Sequence, residues 1–203
     1  MPRTQRERSE ATVAGLLDAC IETIIEVGYA RTSAALITKR AHVSDGALFR
    51  HFPTMRDLMA ATLREAGRRQ LELYTTRIAQ IPAERQGPEA VLLILRDITH
   101  NRTNGVIYEL LVAARTDEKL RALLRDEIDA YQQKIFDAAK SVPTDDLDSS
   151  DVEGFGALVT LLLNAFDGAA IFQGVLSHSD AIERRRITML ASLLSTARPG
   201  RGQ

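Results

Sequence analysis

The sequence predicts an all-α protein, and three observations support this class. Apolar residues recur at three- and four-residue spacing along most of the chain, whereas the alternation typical of a β-strand is almost absent. Aromatic residues make up 5% of the 203 residues and tryptophan is missing, while alanine and leucine, which favour helices, are frequent. We therefore expect about nine helices and no sheet.

The first helix is predicted over residues 9–27, where apolar residues follow the helical period. Gly28 comes directly after it, at a position where a helix end favours a residue that tolerates a positive φ. Thr32 or Ser33 can cap a short second helix over residues 33–41.

A second short helix follows at once. Ser44 can cap it, and it should extend to residue 51. Thr54 stands three residues before Asp57, which resembles a capping box for a long fourth helix that reaches about residue 80. The remaining helices are predicted over residues 89–101, 105–114, 117–140, 152–176 and 180–197, with loops over residues 81–88 and 141–151.

Composition limits the class of protein. A chain of this length, 45% hydrophobic, can bury a core without disulfides or a structural metal. The single cysteine, Cys20, allows no intramolecular disulfide and fits a reducing cytoplasm. No run of 18 apolar residues predicts a membrane span, and the basic N-terminus lacks the apolar segment of a secretory signal. We expect a cytoplasmic protein without a membrane partner.

The net charge of −1 is unevenly distributed. Residues 1–80 contain 12 Lys and Arg against 9 Asp and Glu, whereas residues 81–203 contain 14 against 18. The first part is thus weakly basic and the second acidic, which suggests different roles. The difference alone is too small to establish nucleic-acid binding.

The two short helices and the tight turn between them form the most informative segment. Neither helix can bury enough surface alone, so both need the longer flanking helices as a scaffold, which is the geometry of a helix-turn-helix. The second helix of such a unit enters the major groove of DNA. Gly46 and Ala47 allow a close approach of the backbone, and Phe49, Arg50 and His51 follow them.

Several side chains in this segment have alternative interpretations. Arg50 can contact guanine or phosphate, or it can be a solvated surface charge. His51 can donate to phosphate, or it can be a structural histidine. Asp45 can accept from a cytosine amine, or it can stabilise the N-terminus of its helix through the helix dipole.

Residues 37–61 resemble the DNA-binding domain of TetR-family (tetracycline-repressor-like) transcriptional regulators. The upstream stretch also matches at Gly28, Tyr29 and Thr32. The positions that match the family pattern within the segment are Ile37, Ala41, Val43, Ser44, Gly46, Leu48, His51 and Phe52.

The resemblance implies a helix-turn-helix DNA-binding domain over residues 1–53 and a helical effector-binding and dimerisation domain over residues 54–203. It assigns DNA contacts to Ser33, Ser44, Asp45, Gly46, Ala47, Phe49, Arg50, His51, Thr54 and Arg56. The N-terminal Arg3, Arg6 and Arg8 either contact DNA as a flexible arm or form a solubilising tail.

Three positions depart from the family pattern. His42 stands where glycine is frequent, but histidine tolerates unusual backbone angles better than branched residues do. Phe49 replaces the usual tyrosine, which removes one hydrogen bond to phosphate. Met55 replaces a common lysine, so we expect that lysine's interaction with phosphate to be absent or to move to Arg56.

The second part of the chain should bind a small molecule and pair with a second copy of the chain, as the resemblance implies. Apolar faces on the last two helices predict a four-helix bundle across a two-fold axis, with Ala165, Ala169, Phe172, Leu176, Leu190 and Leu194 in the interface. The candidate ligand pocket comprises Leu95, Ile107, Tyr108, Leu111, Tyr131, Phe136, Leu162 and Phe166, although plain core is the more common role for each apolar member.

The sequence thus predicts a homodimeric regulator of transcription that binds an inverted-repeat operator in double-stranded DNA and leaves it when a small-molecule effector binds. The alternative is a helical small-molecule-binding protein or enzyme that does not bind DNA. No nucleophile–base pair, phosphate-binding glycine loop or metal-ligand spacing is evident, so we expect neither catalysis nor a cofactor or metal.

Overall fold

The computed structural model describes residues 4–85, 87–142, 151–173, 175–176 and 180–196. These residues form nine α-helices: α1 (Gln5–Val27), α2 (Ala34–Ala41), α3 (Asp45–His51), α4 (Met55–Ala79), α5 (Pro88–Thr99), α6 (Arg102–Ala114), α7 (Glu118–Lys140), α8 (Val152–Ile171) and α9 (Asp180–Thr196). The described part contains no strand beyond an isolated bridge, and the predicted all-α class is confirmed. Arg3, most of the loop predicted over residues 141–151, and the tail lie outside the described residues.

Two helix ends differ clearly from the sequence-based bounds. Helix α1 begins four residues earlier than predicted because Thr4 and Glu7 form a capping box. The Glu7 amide donates to Thr4 Oγ1 over 3.2 Å, and the Thr4 amide donates to Glu7 Oε2 over 2.7 Å. Helix α8 ends at Ile171, five residues before the predicted end, and Phe172 is its C-cap residue.

The chain divides into two compact units. Unit 1 comprises Met1–Arg69 and Arg102–Tyr131, and unit 2 comprises Gln70–Asn101 and Gln132–Gln203. Helix α6 and much of α7 therefore belong to the same unit as the short helices α2 and α3. The functional division predicted after residue 53 stays a prediction.

Unit 1 has a continuous apolar core. Ile37 of α2 and Leu48 of α3 are fully buried in it, as are Leu16, Leu58, Leu110, Leu120 and Leu124 from α1, α4, α6 and α7. Cys20 also lies there, where burial raises the pKa of its thiol to about 11 against the effect of a hydrogen bond with Thr62. The two short helices are thus held by longer ones, as the sequence predicted.

Unit 2 has a smaller core between α5, α8 and α9. Leu92, Phe166, Ile187 and Leu194 are buried in it. The Arg186 guanidinium lies 5.1 Å from the centroid of the Phe166 ring and pairs with Glu183 over 2.6 Å.

Much of the apolar surface of α8 and α9 stays exposed to solvent. By length and composition alone, α8 is apolar enough to cross a membrane, a property that the sequence analysis did not predict. The large apolar residues exposed on these helices and just after α8 are Val152, Leu161, Ile171, Phe172, Val175, Leu176, Ile182, Met189 and Leu193.

Candidate nucleic-acid interface

The two short helices are capped by the serines that the sequence predicted. Ser33 Oγ accepts from the Leu36 amide at the start of α2 over 3.4 Å. Ser44 Oγ accepts from the Ala47 amide at the start of α3 over 3.2 Å. Each cap satisfies an amide that the helix leaves without an internal partner.

His42 forms the turn between the two helices. Its φ of 55° and ψ of 39° place it in the left-handed region, the only positive φ among the described non-glycine residues. Its amide donates to carbonyls of the last turn of α2. The turn therefore keeps the conformation that glycine often supplies, as the sequence analysis expected of histidine at this position.

Helix α3 has one buried face and one exposed face. Leu48 is fully buried, whereas Phe49 is 42% exposed and Gly46 and Arg50 are exposed. A Cβ built on Gly46 would meet only Ser44 Oγ, at 3.9 Å, and its φ is not positive. Neither internal packing nor backbone strain thus requires glycine at position 46, whereas close approach of an outside molecule would.

The other predicted contact residues surround this face. Ser33, Ser44 and Thr54 are exposed, and Ala47 and His51 are partly buried. The last turns of α2 and α3 add the basic side chains of Lys39, Arg40, Arg50 and His51, although Arg40 is ion-paired with Glu26.

Asp45 makes a contact that the sequence analysis missed. Thr38 Oγ1, on the buried side of α2, lies 2.6 Å from Asp45 Oδ1 and 2.9 Å from the Ala34 carbonyl oxygen. The Thr38 hydroxyl has a single hydrogen, and it donates this hydrogen to the Asp45 carboxylate, because a charged acceptor forms a stronger hydrogen bond than a carbonyl oxygen does. Neither of the two interpretations of Asp45 made from sequence included this link between α2 and α3.

The start of α4 has the predicted capping arrangement, with aspartate in the third helical position. The Asp57 amide donates to Thr54 Oγ1 over 3.2 Å, and the Thr54 amide donates to Asp57 Oδ2 over 2.9 Å. The Thr54 hydroxyl also donates to Asp57 Oδ2 over 2.7 Å. The first turn of α4 is thus well ordered next to α3.

Arg56, for which a phosphate contact was expected, is engaged within the protein. Its Nε donates to Asp117 Oδ2 over 3.0 Å, and the other carboxylate oxygen of Asp117 accepts from the Leu120 amide, also over 3.0 Å, at the start of α7. The Leu120 amide and the Arg56 guanidinium hold the pKa of Asp117 below its ordinary value.

A second carboxylate contacts the segment that precedes α2. Glu109 Oε2, on α6, accepts from the Tyr29 amide over 3.0 Å. Gly28, with φ of 80°, lets the chain turn there, and a Cβ on it would meet the Glu109 carboxylate at 3.7 Å. Burial, and then the nearby Asp117, raise the pKa of Tyr29, while Arg56 opposes them.

Sequence reasoning missed both carboxylates. Glu109 lies 80 positions from Tyr29, and Asp117 lies 61 from Arg56. The only available signal was an acidic residue at the N-cap position of α7, and nothing in the sequence paired it with α4.

The predicted pocket residues are distributed over both units. Ile107, Leu111 and Tyr131 belong to the core of unit 1, whereas Leu95, Leu162 and Phe166 belong to that of unit 2. Tyr108 accepts from the Asn104 amide group over 2.5 Å, and Phe136 is partly buried. Their role in ligand binding stays a prediction. Among the described residues, no group of His, Cys, Asp and Glu could hold a metal ion.

The predicted interface residues differ in exposure. Phe172 and Leu176 are each 52% exposed, and Ala165 and Ala169 are partly buried. Leu194 is buried, and Leu190 packs against the same cluster. The structure therefore places Leu194 in the core of its own protomer, because that side chain already covers Phe166 and its neighbours.

Known proteins share the sequence features of this arrangement. Residues 16–62 match the family model described as bacterial regulatory proteins of the tetR family. An HTH-type transcriptional regulator of Mycobacterium tuberculosis is 57% identical over 195 residues, which cover 96% of this chain and 98% of the relative.

Solved structures share the fold. A protein described as a TetR-family transcriptional regulator from Mesorhizobium loti has a TM-score of 0.72 at 16% identity, with 93% of this chain and 97% of that one covered. The transcriptional regulator FadR from Bacillus subtilis, in complex with stearoyl-CoA, has a TM-score of 0.61 at 16% identity, with 88% and 97% covered.

Proposed function

Because the chain belongs to the TetR family of bacterial helix-turn-helix transcriptional regulators, we propose that it is a homodimeric repressor released from an inverted-repeat operator by a small molecule. One helix α3 per subunit would lie in the major groove. The observation that carries this proposal is the exposed face of α3, which combines Gly46, Phe49 and Arg50 beside the capped N-terminus of the helix.

The contacts divide by chemistry. Ser33, Ser44 and His51 suit phosphates, since hydroxyl and imidazole groups donate to phosphate oxygens and helix N-termini favour anions. The Thr54 hydroxyl would have to leave Asp57 to donate to a phosphate. Arg50 suits the paired acceptors of guanine, and the exposed ring of Phe49 suits a thymine methyl group or a sugar. Gly46 and Ala47 let the backbone of α3 approach the groove.

The exposed apolar residues of α8 and α9 support the homodimer. A surface with Leu161, Phe172, Leu176, Met189 and Leu193 exposed is costly in water and is typical of a subunit interface. Two subunits would present two α3 helices to half-sites about one helical turn of DNA apart. Burial of α8 in that interface also accounts for its apolar character in a cytoplasmic protein.

The effector would bind in unit 2. The FadR structure contains stearoyl-CoA, which shows that a chain of this fold can hold a ligand with a long apolar part. Leu95, Leu162 and Phe166 belong to the apolar cluster of α5, α8 and α9, which would suit a ligand of that character. Binding there would favour a conformation with lower affinity for DNA, and DNA would disfavour the ligand by the same factor.

Selection of DNA from a random duplex library with the purified protein tests the proposal. Enrichment of an inverted repeat, with an affinity that falls steeply as salt rises, is the expected result, because each neutralised phosphate releases counterions. A protein that enriches no sequence and binds duplex weakly at low salt would instead be the alternative, a helical small-molecule-binding protein or enzyme without DNA binding.

A further inference from the structure

We propose that Asp117 and Glu109 are positioning residues that hold the helix-turn-helix at both of its ends, and that Arg56 serves this arrangement rather than a DNA phosphate. This inference rests on the proposed DNA-binding function, and it concerns unit 1 alone. The two carboxylates lie on α6 and at the junction of α6 with α7, outside the segment that would contact DNA.

The first anchor lies where the chain leaves the helix-turn-helix. Arg56 is in the first turn of α4, and its Nε lies 3.0 Å from Asp117 Oδ2. The Arg56 side chain is 43% exposed and that of Asp117 29%. The other oxygen of the Asp117 carboxylate accepts from the Leu120 amide. This second hydrogen bond fixes the orientation of the carboxylate towards Arg56.

The second anchor lies where the chain approaches α2. The Tyr29 amide follows the end of α1 and has its acceptor in Glu109, on α6. Gly28, with its φ of 80°, lets the chain turn there, and a Cβ at this position would meet the Glu109 carboxylate only at an ordinary contact distance of 3.7 Å. The charges of Asp117 and Arg56 both act on the pKa of the Tyr29 phenol.

Between these anchors the chain contains the short 3-10 helix Tyr29–Arg31, α2, the His42 turn, α3 and a link through the buried Phe52. Helix α3 has seven residues, and Leu48 is its one fully buried side chain. Such a short helix has few contacts of its own to set its direction, so its orientation depends on where the chain enters and leaves the unit. Two polar contacts to α6 and α7 would restrict that orientation before DNA binds, which lowers the cost of ordering on binding.

Asp117 engages the Nε of Arg56, so a phosphate would meet only the remaining guanidinium donors and a charge that a carboxylate already partly neutralises. A phosphate would have to compete with a carboxylate that is already fixed by a backbone amide. If Arg56 contacted phosphate, its removal would lower the slope of log affinity against log salt by about 0.9 for each phosphate that is no longer neutralised. If it only positions the helix, the slope should match that of a control that removes one arginine elsewhere.

The structure supplies such controls. Arg64 on α4 and Glu127 on α7 form an ion pair between the same two helices, farther from the helix-turn-helix. Glu127→Gln therefore matches Asp117→Asn in charge, and Arg64→Gln matches Arg56→Gln. Asparagine is also a good N-cap residue, so Asp117→Asn keeps the cap of α7 and weakens only the pairing with Arg56.

The experiment measures binding of the full-length dimer to its selected operator over a series of salt concentrations. Asp117→Asn and Arg56→Gln should each lower affinity about two- to fivefold relative to their controls, the range of a partly exposed ion pair. The double variant should bind no more weakly than either single one, with an unchanged salt slope.

Three results would overturn the inference. The first is that Asp117→Asn binds the operator with the same affinity as its control, Glu127→Gln. The second is that Arg56→Gln weakens binding and reduces the salt slope while Asp117→Asn does neither. Affinity could also fall only in proportion to a loss of folded protein, as measured by denaturant unfolding of each variant. A wild-type protein that binds no duplex would contradict the proposed function itself, and the inference with it, before any variant is compared.

Discussion

The hydroxyl of Thr38 in α2 donates a hydrogen bond to the carboxylate of Asp45 at the first residue of α3, with 2.6 Å between the two oxygens. Thr38 is 4% exposed, whereas Asp45 is exposed. The contact therefore joins the buried side of α2 to the exposed first residue of α3, the helix that would enter the groove. It directs one oxygen of Asp45 towards the protein.

Removal of this hydrogen bond should affect stability more than base preference. Asp45→Ala and Thr38→Val should each lower the free energy of unfolding by about 1 kcal/mol, and the double variant should lose little more than either one. Denaturant titration measures the first quantity, and repeated selection from random DNA measures the second. If Asp45→Ala changed the selected sequence while Thr38→Val did not, Asp45 would be a base contact.

Arg50 is the exposed cation of α3 that suits a base edge. Arg50→Ala should weaken operator binding by roughly 1–3 kcal/mol and relax the preference at one base pair of each half-site, because the paired hydrogen bonds to guanine would no longer form. Competition binding with operator variants measures both effects. Arg125→Ala, at an exposed arginine of α7, is the control for removal of one charge. Equal effects of the two changes would assign Arg50 to the solvated surface.

Phe172 tests the subunit interface. Phe172→Arg should convert the dimer to monomers, because a guanidinium without a partner is costly in an apolar interface. Sedimentation velocity at micromolar concentration measures the change. Val112→Arg is the matched control, since Val112 is a similarly exposed apolar residue on α6, and it should leave the dimer intact. A Phe172→Arg protein that still sediments as a dimer would contradict the proposed interface.

Glu65 provides a pH dependence with a defined sign. Hydrogen bonds from Arg68, over 2.8 Å, and Arg69, over 2.7 Å, lower the pKa of Glu65 to about 2. A carboxyl whose pKa is lowered by folding stabilises the protein above its unfolded pKa, and that stabilisation is lost as pH falls towards the folded value.

Glu65→Gln should therefore destabilise the protein by about 1 kcal/mol at pH 7, after allowance for solvent screening. The difference from wild type should shrink between about pH 4.5 and pH 2. Urea unfolding at pH 7, 4 and 3 measures it. If the difference in the free energy of unfolding stayed constant over this range, the ion pairs of Glu65 with Arg68 and Arg69 would not be the cause of the destabilisation.

Local sequence signals were sufficient for most of the helices. The caps at Ser33, Ser44 and Thr54 each depend on residues no more than three positions apart, so a sequence pattern contains all the information needed. The start of α1 was missed although Thr4 and Glu7 have the same spacing, because the apolar period begins only later. The end of α8 was placed too late, since the apolar residues continue beyond Ile171.

By itself the sequence determined the all-α class, the helix-turn-helix and the resemblance to one family of regulators, because helical period, capping and turn chemistry are short-range properties. Only the tertiary structure decided the partners of Asp45, Arg56 and Tyr29, and the place of Leu194 inside its own protomer. The partners of Arg56 and Tyr29 lie more than 60 positions away along the chain. The packing of the whole unit decides which distant polar groups come into contact. The charges and the helical periodicity along the chain do not contain that information.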